Sequence, residues 1–209
     1  ESFGFCERDV VYLCVQNLSK YLPQHDDLLL QIVRRQPLAK LVFIESEAAV
    51  NMALQSRLRA TFGAASIDFD RHIRFLPRLD RDRYAALNRI ADVFLDTPGW
   101  SGCNSTLEAL WCDLPVVTLP GGLMRARHSV AIYRAMQYTE LIALDEAHYV
   151  ELAVRLGEDH AWREQQRARI AVSKFRVIND RAPSEALAAC LPALLAQFGV
   201  SPNASVARD

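Results

Sequence analysis

The stretch whose reading decides the fold is DTPGWSGCNSTLEALW, residues 96–111. One apolar run precedes it (Ile90, Ala91, Val93, Phe94, Leu95) and a second follows (Val116, Val117, Leu119). The chain leaves a buried strand, crosses a loop of mostly small and polar residues, and opens a helix on Asn104-Ser105-Thr106. Gly102 lets that loop approach closely because it has no Cβ. The N–H groups of Asn104, Ser105 and Thr106 find no acceptor inside their own helix. The helix macrodipole adds about half a positive charge at the same end. Together these groups make a seat for a phosphate or pyrophosphate. An ordinary structural N-cap has the same spacing. Glu108 tips the balance, because it lies one helical turn beyond Asn104 on the same face. A carboxylate there can accept two hydrogen bonds from a ribose diol while the N-terminus holds the phosphates. It can equally be a first-turn acid that stabilises the dipole.

Outward from this stretch, strands and helices alternate. Val10–Val15, Leu41–Ile44, Ile73–Leu76, Val93–Leu95 and Val116–Leu119 read as short buried strands, and Glu140–Ala143 as a sixth. Between and after them, helices are expected over 25–35, 48–62 (ended by Gly63), 80–88 (N-capped by Asp80), 105–112, 124–136, 147–156, 161–172 and 184–197. This alternation predicts an α/β fold, a Rossmann-like parallel sheet with helices on both faces. One nucleotide-binding domain is expected over 1–199, with a flexible tail at 200–209. Strand one is not followed by GxGxxG, so an ordinary dinucleotide site is excluded. In an open parallel sheet the ligand lies beyond the carboxyl ends of the strands, which is where residues 96–104 leave theirs.

Bulk properties narrow the partners. A chain of 209 residues, 51% hydrophobic, can bury a sizeable core. A formal net charge of −1 argues against nucleic acid and against a membrane surface. No run reaches the roughly 18–20 apolar residues of a membrane span. No secretory signal opens the chain, and its abrupt start on a strand suits a domain boundary within a longer protein. The five cysteines (Cys6, Cys14, Cys103, Cys112, Cys190) have no metal-ligand spacing. They read as free thiols in a reducing compartment, hence a cytoplasmic protein with no bound metal.

The text IADVFLDTPGWSGCNSTLEALWCDLPVVTLPG (90–121), flanked by VYLCVQNLSKYLP (11–23) and RARHSVAIYRAMQYTELIA (125–143), resembles the C-terminal donor-binding half of O-linked N-acetylglucosamine transferases and their SPINDLY-like relatives. The resemblance runs from about Val10 to Leu156. It implies a GT-B architecture, in which two such domains face a cleft and the C-terminal one holds a UDP-linked sugar. The N-terminal half and any tetratricopeptide repeats would lie elsewhere in a longer chain.

The resemblance places Lys20 on the donor pyrophosphate, where an ammonium offsets charge on the departing diphosphate; otherwise it is a solvated surface lysine. Asn17 falls at an amide position in the same loop, a diphosphate or ribose contact or else a turn residue. Tyr84 falls where relatives stack a histidine on uracil, a role a phenol ring can fill; it reads equally as a half-buried helix tyrosine. Arg81 matches a lysine near the donor, and Leu79 a residue whose backbone reads the uracil edge. Arg127 matches a family arginine. His128 can reach the sugar or β-phosphate, or simply start a helix. At the helix start, Cys103-Asn104-Ser105 replaces the usual His-Thr-Thr, and Cys103 reads as a packing residue rather than a nucleophile. Glu108 replaces the frequent Asp. These departures leave the donor sugar open among N-acetylglucosamine, glucose and fucose.

The implied activity is metal-independent, inverting transfer of a sugar from UDP to a protein hydroxyl or amide, with Lys20 as the catalytic group on this half and no resident cofactor. Two other readings share the architecture: a UDP-sugar 2-epimerase domain and a non-catalytic nucleotide-binding interaction module.

Overall fold

The computed structural model describes residues 3–198, so the tail expected at 200–209 lies outside the described residues. Five strands form one parallel sheet: β1 (Val10–Leu13), β2 (Ala39–Ile44), β3 (Ile73–Leu76), β4 (Val93–Leu95) and β5 (Val116–Val117), in the order β3-β2-β1-β4-β5. Val10 sits opposite Ala39, and Tyr12 is flanked by Leu41 on one side and Val93 on the other. All of β4 and β5 is buried, which is why their text carries no polar alternation.

The helices described are α1 (Asp26–Arg35), α2 (Ala48–Ala64), α3 (Phe69–His72), α4 (Arg81–Ile90), α5 (Asn104–Trp111), α6 (His128–Ala135), α7 (Glu146–Glu158), α8 (His160–Ser173) and α9 (Ala182–Gln197). The α1 helix buries Leu28, Leu29, Ile32 and Val33 on one stripe and packs on α2 and α7. The α5 helix packs on α4 and α8. The sheet grows from β1 to β3 in one direction, then resumes with β4 on the other side of β1. Right-handed crossovers therefore put α1 and α2 on one face and α4 and α5 on the other. The reversal opens a crevice between the carboxyl ends of β1 and β4, the usual ligand position in such sheets.

One contact fixes the long return helix to the centre of the sheet. The Tyr12 hydroxyl of β1 donates to the Ala153 carbonyl of α7 at 3.1 Å. A Cβ on Gly157 would stand 2.0 Å from that hydroxyl, so only glycine lets the helix come this close. The same burial pushes the Tyr12 phenol upward and keeps it neutral.

The structure corrects several sequence expectations. The strand expected over Val10–Val15 ends at Leu13, where the chain turns toward the crevice. Gly63 does not end α2, which runs on to Ala64; the left-handed residue is Ser66, at φ 57°. The expected single helix 124–136 is a 3₁₀ turn, Met124–Ala126, followed by α6, with Arg127 (φ −130°, ψ 4°) breaking them. Residues 140–143 contribute one parallel bridge, Ile142 to Thr118, in place of a sixth strand. The short α3 was not expected; Asp68 caps it by accepting from Asp70 N and Arg71 N.

Candidate functional site

Two chain segments leave the sheet side by side at the crevice. After β1 come Gln16, Asn17 and a 3₁₀ turn, Leu18–Lys20; after β4 comes the loop from Asp96 to Cys103 that feeds α5. Their side chains interlock. Lys20 Nζ donates to Gln16 Oε1 at 2.9 Å and to the Ser101 carbonyl at 3.5 Å. Gln16 Nε2 donates to Ser105 Oγ, in the first turn of α5, at 2.6 Å. The ammonium and the helix N-terminus are therefore joined through one amide. Lys20 Nζ also lies 5.8 Å from the centre of the Trp100 ring, and the Arg125 guanidinium 5.4 Å from it. Partial burial lowers the Lys20 pKa, while the negative charge of Asp96 opposes the shift.

The α5 N-terminus carries no side-chain cap, since Cys103 at that position accepts nothing through its sulfur. Asn104, Ser105 and Thr106 N–H groups precede the first intrahelical bond, Leu107 N to Cys103 O at 3.0 Å. A Cβ on Gly102 would meet Gln16 Nε2 at 2.3 Å and the Ser105 and Thr106 hydroxyl oxygens at 2.7 Å. The glycine is thus required by close approach, as its sequence context suggested.

Beneath this edge lies a buried polar layer. Asp96 Oδ1 accepts from Gly102 N at 2.7 Å, and Oδ2 from Ser101 Oγ at 2.8 Å and Thr118 Oγ1 at 2.7 Å. Ser129 Oγ stands 2.9 Å from Ser101 Oγ and 2.8 Å from Thr106 Oγ1, and Ser129 N donates to Ser101 Oγ at 2.9 Å. Burial pushes the Asp96 carboxyl up, and the donors from Gly102, Thr118 and Ser101 pull it back.

A cleft of about 620 Å³ runs between α4 and α5, lined by Arg81, Tyr84, Asn88, Leu107, Glu108 and Trp111 among others. Asp80 caps α4 by accepting from Arg83 N at 2.8 Å, which orients the turn carrying Arg81 and Tyr84. Burial, with a smaller push from the Glu108 charge, moves the Tyr84 phenol up to about 12, so its ring is neutral and available for stacking. Leu79 is partly buried just before Asp80. Glu108 is exposed on α5, so this helix presents its N-terminus to one end of the site and a carboxylate to the cleft.

The expected residues do not all converge. Lys20, Gly102 and Ser105 gather around Gln16, which bridges Lys20 to Ser105; Cys103 and Asn104 are exposed beside them. Cys103 is thus not a packing residue. The Thr106 hydroxyl is fully buried against Ser129, leaving only its backbone N–H to the edge. Asn17 Oδ1 accepts from Ser19 N at 3.0 Å and Ser19 Oγ at 2.8 Å, so it works locally as the cap of the 3₁₀ turn. Arg127 turns away: its Nε donates to the Gly121 carbonyl at 2.6 Å, in a separate cleft shared with Arg134. His128 is half-buried at the first position of α6. Sequence reasoning missed Gln16, Trp100, Arg125 and Asp96. Gln16 and Asp96 carried a usable signal: each closely follows the C-terminal end of a strand bordering the reversal.

Comparison with known proteins gives a consistent family. Residues 1–180 match the model described as Glycosyl transferase family 41. A Caenorhabditis elegans UDP-N-acetylglucosamine–peptide N-acetylglucosaminyltransferase is 31% identical over 94 residues, covering 45% of this chain and 8% of its own length. The probable SPINDLY enzyme of Arabidopsis thaliana is 25% identical over 152 residues, 72% of this chain and 16% of that one. Among solved structures, a Thermobaculum terrenum O-GlcNAc transferase mutant superposes with a TM-score of 0.74 at 27% identity, covering 86% of this chain and 34% of that one. A UDP-forming trehalose-phosphate synthase from Burkholderia xenovorans, at TM-score 0.59 and 17% identity, shares the fold. The chain thus spans a minor part of the length of each of these proteins.

Proposed function

Because the chain belongs to glycosyl transferase family 41, we propose that it is the donor-binding half of a GT-B glycosyltransferase that moves a sugar from UDP to a protein acceptor. One observation carries the reading: Lys20 and the uncapped N-terminus of α5 are joined through Gln16. A diphosphate laid on this edge meets an ammonium, the N–H groups of Asn104–Thr106 and the positive end of a helix dipole. The uridine then lies along the α4–α5 cleft, with the base against Tyr84 and the ribose diol on Glu108.

In the reaction, charge builds on the leaving diphosphate as the acceptor oxygen or nitrogen attacks the anomeric carbon from the opposite face. Lys20 and the α5 N–H groups stabilise that charge where it develops. The reading therefore needs no metal and no resident cofactor; the nucleotide sugar is a substrate. N-acetylglucosamine is the sugar named for the curated relatives, and we extend it to this chain. Among the described residues no helix is long and apolar enough to cross a membrane. Cytoplasmic residence is part of the proposal and rests on the free cysteines.

Titration calorimetry of UDP into the chain tests the reading. Binding with a Kd below a millimolar is expected, and no heat at millimolar UDP would overturn it.

A further inference from the structure

The edge that receives the diphosphate is not held by backbone alone. Residues 96–103 contain no regular structure between β4 and α5. Yet Gly102 is buried, and its bare α-carbon comes so close to Gln16 and Ser105 that an added Cβ would stand 2.3 Å from Gln16 Nε2 and 2.7 Å from Ser105 Oγ. Asp96, 1% exposed, accepts from Gly102 N through Oδ1, and from Ser101 and Thr118 through Oδ2. From Ser101 the hydroxyl chain continues through Ser129 to Thr106 in α5. The Asp96 carbonyl is itself fixed, accepting from the Tyr149 hydroxyl of α7 at 2.9 Å. One carboxylate therefore ties the loop to β5 and, through two serines, to the first turn of α5 and the start of α6.

We propose that Asp96 is the positioning residue of the diphosphate site, acting through the Gly102 N–H and the Ser101 hydroxyl. The inference rests on the donor-site reading above and adds to it the group that sets the shape of the phosphate edge. Asp96 does not touch the donor. Its charge also opposes an incoming diphosphate, so its worth to binding lies in geometry, not in attraction. An amide separates the two effects. Asparagine keeps an oxygen for Gly102 N–H, and its NH₂ can donate to the Ser101 and Thr118 oxygens, whose hydroxyls rotate to accept. Alanine keeps none of these and leaves a buried N–H unsatisfied. Both substitutions remove the charge, so any difference between them reports the hydrogen bonds.

The test measures UDP and uridine affinity, with amide hydrogen exchange at Gly102, in the wild-type chain, Asp96→Ala and Asp96→Asn. Asp96→Ala is expected to weaken UDP by at least about tenfold and uridine by less than about threefold, with loss of Gly102 protection while β1 and β2 amides stay protected. Asp96→Asn is expected to lie within about threefold of wild type on both ligands. Should Asp96→Ala fail to fold, Ser101→Ala cuts the carboxylate from the hydroxyl chain and is expected to weaken UDP more than uridine. Normal UDP binding by Asp96→Ala, equal losses of UDP and uridine, or an asparagine variant no better than alanine would each overturn the proposal. A wild-type chain that binds no UDP fails the donor-site reading itself, before any variant is compared.

Discussion

Lys20 has three neighbours that matter: an amide oxygen, a backbone carbonyl and an indole face. None of them is a carboxylate, so the ammonium has no ion-pair partner among these contacts, and the Asp96 charge acts on it only through space. Its partial burial makes that charge costly in the free chain, which is why its pKa falls below the usual lysine value. The sign of the pH effect follows. Only the protonated form attracts a diphosphate, so UDP affinity should fall as pH rises through the lowered Lys20 pKa, before an ordinary lysine would titrate. Lys20→Ala should flatten that profile. It should also weaken UDP by about tenfold, the worth of a charge-assisted bond, while leaving uridine nearly unchanged. Equal losses on the two ligands, read by calorimetry, would remove Lys20 from the phosphates.

At the level of elements, the proposed donor site divides the ligand between α4 and α5. In that reading the α5 N-terminus takes the phosphates, and Tyr84 and Arg81 of α4 take the nucleoside. The angle of α4 depends on its cap, where the Asp80 carboxylate accepts from Arg83 N. Asp80→Ala should cost about 1 kcal/mol of stability, seen in denaturant unfolding. It should weaken UDP and uridine by the same factor, because both share the nucleoside end. A loss confined to UDP would place α4 elsewhere in the site. Elements also mark where the sequence was legible. The text Val93–Leu95 reads directly as strand because burial on both faces demands unbroken apolar residues, whereas Ile73–Leu76 reads so although Arg74 interrupts it and only Ile73 is buried. The Asp80 cap and the close approach at Gly102 follow equally from local chemistry. The break at Arg127 does not, since it is set by a 3₁₀ turn whose Arg125 carbonyl accepts from Ser101 N of a distant loop at 2.9 Å. The inward turn of the Thr106 hydroxyl likewise depends on Ser129, which is 23 residues away and joins it only when the sheet assembles. For Gln16 and Asp96 the position after a strand end was legible but the partners were not, because these lie across the reversal or around the loop.

For the molecule as a whole, the site draws on one edge of one sheet. Lys20, Gln16, the α5 N-terminus, Tyr84 and Glu108 follow the ends of β1, β3 and β4, and the cleft that Tyr84 and Glu108 line is open to solvent. On the proposed reading that arrangement suffices to hold a nucleotide, with the phosphates and the base each given partners here. Transfer asks for more. The acceptor must lose its proton to a base within hydrogen-bond reach, and water must be kept from the anomeric carbon. An open edge meets the first demand only if the acceptor brings its base, and it cannot meet the second. The GT-B resemblance assigns both tasks to a facing half. The 209-residue chain assayed alone should therefore bind UDP yet release none from UDP-N-acetylglucosamine above the uncatalysed rate, with or without acceptor peptide. Supplying an N-terminal GT-B half, joined or in trans, should restore release together with sugar on the peptide. Steady turnover by the chain alone would mean that base and water exclusion already reside on this edge, and would make His128, half-buried beside it, the first residue to replace.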